Sequence, residues 1–197
     1  MGHGWRVSLG LCVLVLSACG QGNSSTWKSF PVPIYADSTL LSRPGGSDDL
    51  QAAMSFWEQK AGKKLFDFKG QWSGGNPYVG DAAAPTGAVA NVIFFQNPWP
   101  FAMEIAGRTT VFPSNDGIAG SVVMINPEIP LCAGDCAYQQ NVTSQRKDFT
   151  HELGHFIGLN HSPDINNIMY PVLQPGGSLD SVSIDAAALT AAVNNGG

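Results

Sequence analysis

The chain has 197 residues, a formal net charge of −5 and no basic cluster, which argues against nucleic acid as a partner. Hydrophobic residues make up 44% and charged residues 13%, a globular composition of a length that suits one domain with its own core. No apolar run reaches the roughly 18 residues that span a bilayer, and 23 glycines with 13 prolines point to many loops.

The N-terminus has its own pattern. Arg6 gives a positive start, and residues 7–16 are apolar but too short for a spanning helix, which reads as a secretory signal over residues 1–18. It closes on Leu16-Ser17-Ala18-Cys19. That run resembles the lipobox of bacterial lipoproteins, whose cysteine, here Cys19, becomes the lipid-modified first residue. The other reading is an ordinary signal peptide with a stray cysteine. Gly20 next to the cysteine implies, by the same resemblance, a lipid anchor in the outer membrane, facing the periplasm or the exterior. Each buried acyl CH₂ contributes about 0.8 kcal/mol to such an anchor. Residues 19–30 read as a polar tether, and residues 31–194 as the folded domain, expected to be a monomer.

In chain order, residues 32–35 read as a short strand. A helix follows, with Ser47 or Asp48 as its cap, an apolar stripe of Leu50, Met54, Trp57 and Ala61, and Gly62 at its end. After residues 65–68 and a glycine-rich loop, residues 91–95 (NVIFF) form a compact β-branched and aromatic run, expected as a central strand. Residues 109–112 and 121–126 are two more strands, with the turn PSNDG between them. Asn115 and Asp116 in that turn also offer oxygen ligands to calcium, but a surface turn explains them more simply. Cys132 and Cys136 lie in CAGDC. An exported chain meets an oxidising compartment, so a local disulfide is expected, with a zinc pair or a redox switch as rival readings. Two further helices are expected over residues 143–158 and 183–193, the second capped by Ser183, with a frayed NNGG end.

Three of the four histidines fall within residues 151–161, HELGHFIGLNH. On a helix His151 and His155 leave one face a turn apart, which lets two imidazoles hold one zinc ion. Glu152, about 100° round, stands beside the ion without ligating it and can act as general base. Gly158 tolerates a positive φ, so the helix can stop there and the chain can bring His161 back as third ligand. Three neutral imidazoles leave one coordination position for solvent, the pattern of a catalytic rather than a structural zinc site.

The run from His151 through Gly158 to His161 resembles the metzincin zinc signature. Met169, eight residues on, resembles that family's Met-turn, and Ser162 with Met169-Tyr170-Pro171 resembles the matrixin branch, the matrix metalloprotease type. The resemblance implies an α/β (α+β) zincin-like domain: a twisted, mostly parallel five-stranded sheet with one antiparallel edge strand and three main helices. It implies a zinc-dependent endopeptidase acting on extended polypeptides laid along the edge strand around residues 109–112, with Glu152 as the base. Pro171, Val172 and Leu173 would form the wall of the pocket for the side chain that follows the scissile bond; leucine stands where matrixins often carry tyrosine. Tyr170 directly follows the methionine and is not assigned to the metal. Apart from the motif only His3 remains, so a second, histidine-rich structural zinc is not expected. Two other functions stay open: a non-catalytic zinc-containing surface lipoprotein that binds a partner, and a zinc hydrolase of cell-wall amide bonds.

Overall fold

A computed structural model describes residues 26–77, 90–136, 142–175 and 178–194. Strand β1 (Val32–Ala36) leads through a single-turn helix α1 (Ser38–Leu41) to the long helix α2 (Gly46–Ala61). Strands β2 (Phe66–Gln71), β3 (Val92–Phe95), β4 (Gly107–Ser114) and β5 (Gly117–Ile125) follow. Two short strands, β6 (Leu131–Cys132) and β7 (Thr143–Ser144), pair in parallel just before α3 (Gln145–Phe156). A 3₁₀ turn at Leu179–Ser181 and helix α4 (Ala186–Asn194) complete the described chain.

The main sheet has five strands in the order β2-β1-β3-β5-β4. The first four run parallel, and β4 is antiparallel to β5 at one edge, as expected. The β4–β5 hairpin closes through Asn115 and Asp116, with Ser114 opposite Gly117, so the turn read from PSNDG is in place. In β3 all four residues are buried. A central parallel strand is covered on both faces, which is why it reads as one apolar run rather than an alternation. Ile93 and Phe95 face the helices, and Val92 and Phe94 join a second cluster with Trp99, Phe112, Val122 and Met124 on the other face.

The main core lies between the sheet and the helices. Leu50, Ala53, Met54 and Trp57 of α2 meet Phe149, Leu153 and Phe156 of α3 there. Trp57 Nε1 donates to the Thr150 carbonyl at 2.7 Å, and Trp27 Nε1 donates to the Phe156 carbonyl at 2.6 Å. Two buried indoles thus fix α3 against the core at its middle and at its end.

Several expected boundaries move. Helix α2 starts at Gly46 with Gly45 as its N-cap, so Ser47 and Asp48 lie in its first turn instead of capping it. Gly45 has φ +72° and its Cβ position is taken by Ala133, a close approach that only glycine permits. Helix α4 is capped by Asp185, whose Oδ1 accepts from Ala188 N at 2.9 Å. Ser183 lies outside that helix, bridged to Asn167. The last residues of the tether expected over 19–30 are built into the fold: Trp27 is buried and the Thr26 carbonyl accepts from Ile118 N at 2.9 Å. A tryptophan buries too much apolar surface to stay in a solvated linker. The signal and lipobox residues, including Cys19, lie outside the described residues.

Candidate metal centre

Helix α3 begins at Ser144, whose hydroxyl accepts from Lys147 N at 3.2 Å as an N-cap. Asp49, buried in the first turn of α2, accepts from Gln145 Nε2 at 3.0 Å, from Arg146 Nε at 3.0 Å and from Gly134 N. Cys132 and Cys136 flank that glycine, with Cα atoms 5.9 Å apart and their sulfurs in bonding contact. The CAGDC loop therefore ties the start of α2 to the start of α3. Asn115 and Asp116 stay in their surface turn, with Lys28 Nζ 3.9 Å from Asp116.

One turn apart on α3, the rings of His151 and His155 have centroids 4.8 Å apart. The helix stops at Phe156, and Gly158 takes φ +101°. That conformation disfavours any residue with a Cβ, and it turns the chain so that Leu159 N donates to the Gly154 carbonyl at 2.9 Å. His161 then returns, its ring 4.8 Å from that of His155 and 5.3 Å from that of His151. One ligating nitrogen from each ring lies within 4.8 Å of the others.

Backbone carbonyls set the tautomers. His151 Nδ1 faces the Ile168 carbonyl at 2.7 Å, and His155 Nδ1 faces the Leu159 carbonyl at 2.8 Å. Each Nδ1 therefore carries the proton and donates, which leaves each Nε2 a bare lone pair. His155 Nε2 lies 3.2 Å from His161 Nε2. A tetrahedral zinc held at 2.0–2.1 Å keeps its nitrogen ligands about 3.3 Å apart, so this spacing fits a shared cation. Burial holds His151 down at about 3 and His155 at about 4, with neighbouring histidines adding to the effect, and burial lowers His161 as well. The rings are neutral near pH 7 and ready to donate their lone pairs. The donor set suits zinc.

Glu152 is not a member of the ring cluster. Its buried carboxylate accepts from Thr109 Oγ1 on the edge strand β4 at 2.6 Å. Gly107, two residues earlier on β4, has no room for a side chain, because a Cβ there would sit 2.7 Å from Glu152 Cγ. Burial, and next the charge of Asp148, push the Glu152 carboxyl up to about 8, while the Thr109 bond and Arg108 pull the other way. A cation among the three rings opposes that rise.

Met169 is buried, with its sulfur packed at the Cβ position of Gly154. A larger residue than glycine between His151 and His155 would displace it. Asn167 shapes this turn: its Oδ1 accepts from Met169 N at 2.8 Å and its carbonyl accepts from Tyr170 N at 2.9 Å. Ile168 gives its carbonyl to His151, and the Met169 carbonyl accepts from Ser162 N at 2.9 Å, next to His161. The methionine turn thus supports two rings through the backbone. Pro171, Val172 and Leu173 follow it; Val172 and Leu173 line a pocket of about 110 Å³ together with Ile168 and Lys147.

The matrixin family model matches residues 41–189. The chain belongs to the matrixin family. No curated protein matches it. Membership makes this matrixin a zinc-dependent metalloprotease by family, with a histidine triad able to hold the metal. Sequence reasoning pointed to all three rings, Glu152 and Met169; the structure clusters the three rings, packs Met169 against Gly154 between two of them, and sets Glu152 against the edge strand. It missed Thr109, Asn167 and Asp148. Asn167 could have been found as an Asx-turn residue ahead of the methionine; Thr109 gives no local signal, because 43 residues separate it from Glu152.

Proposed function

We propose that this matrixin is an endopeptidase that hydrolyses peptide bonds of extended polypeptides, with Glu152 as general base and His151, His155 and His161 holding the zinc. When bound, zinc supplies Lewis acidity, activating water and polarising the substrate carbonyl. Glu152 accepts the proton of the attacking water and passes it to the leaving amine. Thr109 holds the Glu152 carboxylate for that task from β4. Because β4 pairs with β5 on one side only, its other edge offers main-chain groups to an extended peptide, and the same strand that would bind substrate also orients the base. Pro171, Val172 and Leu173 would wall the pocket for the side chain after the scissile bond. The lipobox at residues 16–19 would tether the enzyme through Cys19 to a membrane, and a Cys132–Cys136 disulfide suits that exported setting.

The observation that carries this reading is the buried Glu152, held by the edge strand and next in the chain to His151, with three neutral imidazoles clustered and two of them oriented by backbone carbonyls. A partner-binding zinc module has no use for such a carboxylate. The test is a digest of a peptide library read by mass spectrometry. Cleavage within peptides, abolished by a chelator and restored by zinc, supports the endopeptidase. Cleavage confined to cell-wall peptidoglycan, or none with zinc bound, contradicts it.

A further inference from the structure

Lys147 is 95% buried, leaving 5% exposed, unusual for a residue that normally keeps its charge in water. It stands four residues before His151, so it shares that ring's face of α3 one turn earlier. Its surface lines the pocket of about 110 Å³ that also touches Ile168, Val172, Leu173, Gln174 and Val182. Ile168 belongs to both places: its side lines the pocket, and its carbonyl orients His151. Ligand pockets for whole small molecules run to about 300–1,000 Å³, so this one suits a single side chain. Its walls are mostly apolar and amide-bearing, and among the described residues lining it Lys147 is the one charged residue and none is a carboxylate.

We propose that Lys147 makes this pocket select an acidic side chain, glutamate above its neutral isostere glutamine, at the substrate position following the scissile bond. The inference rests on the endopeptidase reading for the identity of the guest. An extended peptide on a sheet edge gains affinity from its main chain and selectivity from pockets that take alternate side chains. A pocket joined to His151 through Ile168, and walled by the segment after the methionine turn, would meet the side chain just past the reacting carbonyl. Burial disfavours the charged form of its ammonium, that of Lys147, while Asp135 acts on it in the opposite sense. Lys147 is already engaged within the fold, so a guest adds to its contacts. A guest carboxylate supplies a charge-assisted hydrogen bond, stronger than an amide can make. Lysine or arginine guests meet like charge and are rejected.

The test uses zinc-loaded full chain and four peptides that differ only in the residue after the scissile bond: glutamate, glutamine, leucine and lysine. We expect kcat/KM for glutamate to exceed that for glutamine by about tenfold, and lysine to be the poorest. Lys147→Met, similar in length and apolar, brings the glutamate-to-glutamine ratio to about one while cleavage of the leucine peptide persists; Lys147→Arg restores the ratio. The same peptides are then bound to zinc-loaded Glu152→Ala protein, where affinity is read without turnover. Cleavage of every peptide with no glutamate preference, or a preference untouched by Lys147→Met, overturns the inference and leaves the protease intact. A Lys147-dependent preference in the binding arm, with no cleavage by the unmodified chain, upholds the pocket and removes the protease. Binding without preference and without cleavage removes both.

Discussion

Asp148 offers the sharpest physical prediction. It lies in the first turn of α3, fully buried, and neither carboxylate oxygen has a hydrogen-bond partner among the described residues. Burial raises its carboxyl from the ordinary 3.8 to about 7. Such a group stabilises the fold fully below about pH 4, where it is neutral in both states, and that stability is lost as pH rises through about 7. Each pH unit inside this window costs about 1.4 kcal/mol, so the whole shift amounts to about 4 kcal/mol. That is a large part of the 5–15 kcal/mol, roughly, that a domain possesses. Asp148→Asn removes the ionisation and keeps the shape. The amide is as poorly partnered as the acid, so the variant gains nothing near pH 4. Its advantage grows with pH and levels off above about 7. Urea unfolding of both proteins at several pH values from 4 to 8.5 measures this, and the difference between them cancels the pH dependence of the shared histidines. An equal stability difference at pH 4 and pH 8 would show that Asp148 is ionised at no cost, and the burial argument would be wrong.

Other changes act on the site itself. Thr109→Val removes the 2.6 Å bond that lowers the Glu152 carboxyl, so the acid limb of the kcat/KM profile should move to higher pH and the rate fall by about tenfold or more. Gly158→Ala forces a Cβ into φ +101°, a cost of about 1–2 kcal/mol, and zinc titration should show weaker binding through a displaced His161. Glu152→Ala should retain zinc by elemental analysis yet lose about 10²–10⁴ in kcat. Gly154→Ala would place a methyl 2.9 Å from Trp57 Cζ2 and onto the Met169 sulfur, and thermal unfolding should register a loss of about 1–3 kcal/mol.

The sequence was most readable where chemistry and periodicity coincide. His151 and His155 declare a helix face, Gly158 declares the turn, and the apolar run at β3 declares a central strand, because each follows from local geometry. Helix starts were less readable. Ser47, Asp48 and Ser183 all have the right side chain for a cap, yet Gly45 and Asp185 hold those places. Tertiary contacts decide this: Ala133 lies against Gly45, and Ser183 is committed to Asn167. The buried Trp27 was hidden in a polar stretch, since its partner carbonyl at Phe156 lies 129 residues away. The short β6–β7 pair and Lys147 at its pocket were invisible for the same reason. They exist only once distant segments pack.

The account depends on three imidazoles sharing one zinc ion, and metal content tests this directly. Protein prepared with zinc and freed of excess metal, then measured by inductively coupled plasma mass spectrometry, should carry one zinc per chain, and His161→Ala should lose most of it while staying folded. Folded protein with far less than one zinc per chain, or a His161→Ala variant that keeps its full complement, would contradict the proposed centre.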